Sequence, residues 1–234
     1  MYTKRVAADG REMQEVVYSS MGLHYIGSES DYTKGYACIF GQIGTPYEDC
    51  PMLYEIEFPN EFPYDPPKVL FKTYDGLTRF HPNMYREGKV CLSILHTWNG
   101  PKWASTMRLS TVLITLQSLL DNAPLRHEPG YEHGKDLVVD AYTSYIEIVC
   151  IRYILDRAEA HRNNKIQPEV FKYFLNQFLE RLPATLQRLE VRLKNLLEKD
   201  ELQFQNLPYQ MQGCSGYNRL LNRVIKLKEI FSSF

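Results

Sequence analysis

The chain has 234 residues, 44% of them hydrophobic and 24% charged, and its 27 Lys and Arg against 28 Asp and Glu leave a net charge of −1. That is the make-up of a folded globular protein long enough to bury its own core, not of a disordered one. With no run of like charges and no apolar stretch near the roughly 20 residues of a spanning helix, neither nucleic acid nor a membrane is expected as a partner.

The opening residues, MYTKRVAADG, lack the apolar segment of a secretory signal, so the cytoplasm is the expected compartment, with the nucleus also open. TKRVAADGREMQEVVYSS predicts a short helix with Thr3 as its cap and Val6, Met13, Val16 and Val17 on one face, weakened by Gly10. Lys4, Arg5 and Arg11 fall on its exposed side. The texture then turns to strands: YACIFGQI, MLYEIEF with Tyr54, Ile56 and Phe58 alternating against Glu55 and Glu57, and KVLFKTY. Gly44-Thr45-Pro46 and the proline-dense FPNEFPYDPPK separate them, so an antiparallel meander is predicted.

Residues 78–103 show little periodicity, and a long irregular segment inside a domain is more often functional than idle. Helical spacing returns at LSTVLITLQSLL, a core helix on which the sheet should pack. After the loop DNAPLRHEPGYEHG come helices over about 135–160, from Gln167-Pro168 through a stripe of Val170, Phe171, Phe174, Leu175, Phe178, Leu179 and Leu182, over 184–199 and over 217–231. The last two are separated by a loop holding Gly213 and Gly216. The order predicts an α+β fold: a core over 1–160 and an all-helical extension over 161–234, packed on or beside it, whose apolar stripe is core packing in preference to a partner groove.

Five cysteines, Cys38, Cys50, Cys91, Cys150 and Cys214, are scattered without paired Cys-x-x-Cys spacing, so neither a disulfide framework nor a metal site is expected. Four of them read as small buried hydrophobes. Cys91 differs because it sits in the irregular segment after Gly88, where a partly exposed loop can present a thiol as a nucleophile. Upstream stands His81-Pro82-Asn83, and an amide on a rigid turn can stabilise the oxyanion of an acyl transfer or brace the loop that does so.

HPNMYREGKVCLSIL resembles the active-site segment of the ubiquitin-conjugating enzymes: His-Pro-Asn, a glycine, an aliphatic residue, then the cysteine. TPYE at 45–48, YEIEFPNEFPYDPPKVLF at 54–71, Trp103 and the helix at 109–120 follow in the family's order, and CLSILHTWNGPKW and EPGYE resemble its larger, Z-type members with a helical C-terminal extension. The resemblance implies the family's fold, with an N-terminal helix, a four-stranded antiparallel meander and a central core helix. It also implies that an activating enzyme loads ubiquitin or a ubiquitin-like modifier on Cys91 as a thioester. An amine of a protein substrate, or a ligase, then takes the modifier without any metal or organic cofactor.

On the same resemblance Asn83 stabilises the transition state or its loop, while His81 and Pro82 shape the turn. His127 and Glu128 are candidates for the acidic or basic group near the acceptor, and Ser93 stands where many relatives carry Asp. Lys4 and Arg5 match the activating-enzyme contact, and Tyr64, Trp103 and Ser105 the ligase-contacting loops, although WASTM departs from the usual pattern of the second of these loops and Asp49-Cys50 replaces the family's usual glycines after TPYE. Two other readings are a non-catalytic ubiquitin-binding adaptor of the same fold and a cysteine hydrolase pairing Cys91 with His81 or His96.

Overall fold

A computed structural model describes residues 2–165 and 168–231; the helix start predicted at Gln167 falls outside them. The N-terminal segment forms two helices, α1 (Tyr2–Glu12) and α2 (Val16–Ser20). Thr3 lies inside α1 and does not cap it. Val6 and Met13 are buried, but Val16 is 80% and Val17 52% exposed, because the break between the helices carries α2 out of phase with the face of α1.

Four strands follow, β1 (Leu23–Gly27), β2 (Lys34–Phe40), β3 (Pro51–Glu57) and β4 (Lys68–Phe71), as an antiparallel sheet in the order β1-β2-β3-β4. The register pairs Leu23 with Ile39, Ile39 with Met52, Ala37 with Tyr54, and Tyr54 with Phe71. These side chains share one face, and all are buried. The opposite face carries His24, Tyr36, Cys38, Phe40 and Leu53 at one end and Glu55, Glu57, Lys68 and Leu70 at the other. Its first end is covered too, which is why the run Ala37-Cys38-Ile39-Phe40 is apolar on both faces of the strand.

Helix α3 (Leu109–Leu119) has the predicted length and buries Leu109, Val112, Leu113 and Leu116 in the same core. Its first turn is capped from outside the helix. The Asp9 carboxylate of α1, buried beside it, accepts the Leu109 N–H at 3.1 Å together with Arg5 Nε at 2.8 Å, and so fixes α1 to α3.

The extension begins as α4 (Asp136–Arg162) ends. A 3-10 stretch, Glu169–Phe174, leads into α5 (Leu175–Leu196), a single helix where two were predicted. Pro183 lies inside it without ending it, since its ring is on the exposed side and Phe178, Leu182, Leu186, Leu189 and Leu193 keep one unbroken buried stripe. Of the predicted stripe, Val170, Phe171, Phe174, Phe178 and Leu182 are buried in the core and Leu175 and Leu179 pack partly buried against it. The segment read as a glycine-bearing loop folds into a hairpin, β5 (Gln203–Leu207) and β6 (Met211–Cys214), before α6 (Tyr217–Phe231).

The covered end of the sheet meets this extension directly. Tyr173 stacks on Tyr36 with ring centres 4.6 Å apart, and the Arg181 guanidinium lies 4.6 Å from the Phe40 ring. Asp49, which stands where the family's glycines were expected, adopts a left-handed φ of 56° and is buried. It accepts Thr185 Oγ1 at 2.9 Å and Arg188 Nη2, while Arg188 Nε reaches Glu48 at 2.8 Å. The departure from the family pattern is therefore the latch for α5. Asp49→Ala strips the buried end of this latch and is expected to cost about 2–4 kcal/mol, more than Asp49→Asn. Urea denaturation measures it; a loss below about 0.5 kcal/mol contradicts the latch.

Candidate active site

The irregular segment containing Cys91 is held by backbone and side chains in turn. Phe71 N–H donates to Gly88 O at 2.8 Å, pinning the segment to the end of β4. Gly88 has φ 95°, and a Cβ there would stand 3.0 Å from Phe71 O, so a glycine is required. Cys91 N–H then donates to Asn83 O at 2.8 Å, and Asn83 Nδ2 donates to Cys91 O at 2.8 Å. On the far side the Thr97 hydroxyl accepts Leu92 N–H at 2.9 Å and donates to Val90 O at 2.7 Å. The two residues flanking the cysteine are thus tied by one hydroxyl, and the cysteine itself by one amide.

Asn83 is placed by its neighbour. Its N–H donates to His81 Nδ1 at 3.0 Å, so His81 is the Nε2-protonated tautomer. Burial, reinforced by His127 nearby, lowers the His81 pKa to about 3, so the ring is a neutral brace and not a base. Pro82 is buried and its carbonyl accepts Arg79 Nη2. Asn83 Oδ1 is buried and unpartnered, so within the described residues the amide's one side-chain bond is to Cys91.

Cys91 itself is only 3% exposed, where a partly exposed thiol was expected. The cause is the double tether, which draws the backbone in, and the close passage of the following loop. Gly100, at φ 132°, crosses Ser93 so tightly that a Cβ would fall 3.0 Å from Ser93 Cβ. Even so, Cys91 lies outside the cluster of apolar core side chains, unlike Cys38, Cys50 and Cys150. Burial pushes the Cys38 and Cys150 thiols well up and keeps them inert.

The segment after α3 lies against His81, with the His127 ring centre 5.2 Å from that of His81. His127 Nε2 pairs with Asp121 Oδ2 at 2.9 Å. Burial raises the Asp121 carboxyl, but the His127 hydrogen bond and the Ala123 N–H outweigh it and hold it below its ordinary value. Glu128, a candidate for the group near the acceptor, has its Oε2 bound by the Tyr209 hydroxyl at 2.6 Å.

Several of the residues expected to contact partners lie together. Arg5 donates to Ser105 O at 3.0 Å and to Met107 O, so the candidate on α1 is joined to the loop holding Ser105, and Lys4 is exposed beside it. Tyr64 is 69% exposed, but Trp103 is buried, donating its indole N–H to Pro63 O at 2.7 Å. Trp103 therefore supports the Tyr64 loop from below and does not present itself as a contact. Among the described residues no group of three or more His, Cys, Asp or Glu is placed to hold a metal ion.

Thr97, Asp121, Arg79 and Tyr209 were not found from the sequence. Thr97 and Asp121 lie in the strings HTWNG and SLLDNAP, but nothing local distinguishes a bridging hydroxyl from a solvated one.

Burial, with Arg181 nearby, lowers the His24 pKa to about 4. Below about pH 6.5 the unfolded chain protonates His24 and His81 while the folded chain does not, so the stability they confer is complete above pH 6.5 and falls as pH drops toward 4. His24→Gln is expected to lessen the loss of stability between pH 7 and pH 5 by about 1 kcal/mol, allowing for its partial exposure. Equal losses in thermal melts of the two proteins contradict this.

The chain matches the family described as Ubiquitin-conjugating enzyme over residues 9–150. It is 46% identical over 115 residues to ubiquitin-conjugating enzyme E2 Z of Xenopus tropicalis, covering 49% of this chain and 37% of that one. Identity to the Homo sapiens E2 Z is 45% over 115 residues, covering 49% of this chain and 32% of that one. The chain thus spans about a third of the length of these relatives. Among solved structures, the E2 domain of a Toxoplasma gondii ubiquitin conjugating enzyme aligns with TM-score 0.47 and 24% identity, over 63% of this chain and 97% of that one. With the sheet, the core helix and the His-Pro-Asn turn beside Cys91 in place, the chain belongs to the ubiquitin-conjugating enzyme family.

Proposed function

We propose that Cys91 accepts ubiquitin or a ubiquitin-like modifier from an activating enzyme as a thioester and passes it to a lysine of a protein substrate or to a ligase. The observation that carries this reading is the reciprocal pair of hydrogen bonds between Asn83 and Cys91, each 2.8 Å long. In charging, the Cys91 sulfur attacks the activating enzyme's thioester, a new C–S bond forms and the activating enzyme's thiolate leaves. In discharge, an amine attacks the carbonyl on Cys91; a C–N bond forms, the C–S bond breaks, and the thiolate leaves without a cofactor.

Asn83 serves first as a brace. Its amide holds the Cys91 carbonyl and leaves a second Nδ2 hydrogen to face the oxyanion that forms beside it. The proton lost by the amine needs an acceptor, and His127 suits it: with Nε2 held by Asp121, its Nδ1 is left to accept. His81 has no such freedom, which also argues against a hydrolase built on it. A second reading, a non-catalytic adaptor, is favoured by one observation, the 3% exposure of Cys91. A slender extended modifier tail needs only a narrow opening there, and Cys91 lies outside the cluster of apolar core side chains.

Incubation with activating enzyme, ATP and modifier separates the readings. A band sensitive to reducing agent is expected with the wild type, none with Cys91→Ala, and with Cys91→Ser a band that resists reducing agent because it is an ester. No reducible band with any modifier in a panel supports the adaptor. Asn83→Ala is expected to charge normally but to discharge to lysine about 100-fold more slowly, the scale of losing one oxyanion donor. Discharge at the wild-type rate removes the role given to Asn83.

A further inference from the structure

The tip of the β5-β6 hairpin packs on the segments that flank the candidate active site. Tyr209 and Gln210 both adopt left-handed backbone conformations, with φ 62° and 58°, uncommon for non-glycine residues and held here by the turn and by its surroundings. Those surroundings are the segments that frame Asn83. Arg86 Nη2 donates to Tyr209 O at 2.6 Å, and Arg79 N–H reaches Met211 Sδ at 3.3 Å. The Arg79 guanidinium is sandwiched between the rings of Tyr85 at 3.6 Å and Tyr209 at 4.3 Å, while its Nη2 donates to the carbonyl of Pro82, the residue before Asn83. Beneath them Tyr142 donates to Arg79 O at 2.8 Å and packs edge-on against Tyr209.

From this fixed platform the Tyr209 hydroxyl crosses to the other segment and donates to Glu128 Oε2 at 2.6 Å. Burial, then the Glu128 carboxylate itself, push the Tyr209 phenol well above its ordinary range, so it remains a donor at any working pH. Glu128 adjoins His127, whose ring meets that of His81. One residue of the extension therefore grips both the His-Pro-Asn segment and the segment that carries His127.

We infer that Tyr209 is a positioning residue for the transfer step: it fixes the Glu128 carboxylate in the segment whose His127 meets His81, so that this carboxylate attracts the ammonium of an incoming lysine before it is deprotonated. This rests on the thioester reading above. The chemistry of transfer is unchanged: C–N forms, C–S breaks, Cys91 thiolate leaves and the amine's proton is lost. What the extension adds is a preference for a cationic acceptor.

The experiment uses the full chain, charged and then separated from activating enzyme, with discharge followed against free lysine and against hydroxylamine, a neutral amine. Tyr209→Phe keeps the ring on Arg79 and loses only the hydroxyl; Glu128→Gln keeps a hydrogen-bond acceptor and loses only the charge. Both are expected to lower the ratio of lysine to hydroxylamine discharge rates, below lysine saturation, by about two- to fivefold, the scale of one solvent-screened ion pair. The double variant is expected to match the single ones, since both act through one carboxylate. An unaltered ratio in Tyr209→Phe, or equal slowing with both acceptors, overturns the inference in favour of plain structural packing. If the wild type forms no thioester, the reading beneath it falls first and this one with it; a wild type that charges while the ratio stays fixed sinks the inference alone.

Discussion

Two hydrogen bonds run between Asn83 and Cys91 in opposite directions, backbone to backbone and side chain to backbone, and the geometry of the site follows from them. They set the cysteine beside the amide and draw it inward, so the thiol is nearly covered. Each support of that ring comes from a different part of the fold: His81 holds the Asn83 N–H, Thr97 bridges the residues on either side of Cys91, and β4 anchors Gly88. If Cys91 transfers the modifier as proposed, a thiol held this firmly loses little freedom in reaching the transition state, which is the general advantage of a preorganised site.

The extension is part of this arrangement at two distances. Far from the cysteine, Glu48 and Asp49 bind the arginines of α5, and Tyr173 and Arg181 cover one end of the sheet. Close to it, the hairpin tip lies on Arg79 and Glu128. The latch is partly buried and charged, so its geometry contributes more to where α5 sits than to net stability, since desolvation offsets much of the attraction. The core is thereby coupled to the residues that follow it.

Much of this was legible in the residues themselves, and the reason is locality. His81, Pro82, Asn83 and Cys91 share one short segment, so the order of residue types reports their proximity, and the strands with Tyr54, Ile56 and Phe58 alternate as a half-buried sheet should. The resemblance implied four strands, but β1 was not located in the residues because it is only five residues long, follows Gly22 and ends on Gly27, with His24 interrupting its apolar pattern. The hairpin was missed because Gln203, Gln205 and Asn206 are poor strand formers, and tertiary bonds, such as Arg152 to Cys214 O and Tyr145 to Gln212 O at 3.1 Å, decide its form. Tyr209 could not be found at all, since its partner Glu128 is 81 residues away. Trp103 was expected to face a partner and turns inward because its indole N–H has a carbonyl to satisfy.

The claim on which the rest depends is that the acyl group rests on one sulfur. Non-reducing peptide mapping of the charged protein, under mildly acidic conditions that preserve thioesters, addresses it directly. The modifier's C-terminal remnant is expected on the peptide spanning 90–102, which contains Cys91, and it should vanish on treatment with thiol. A remnant on the peptide containing the half-buried Cys214, or on a lysine with Cys91 unmodified, would contradict the assignment.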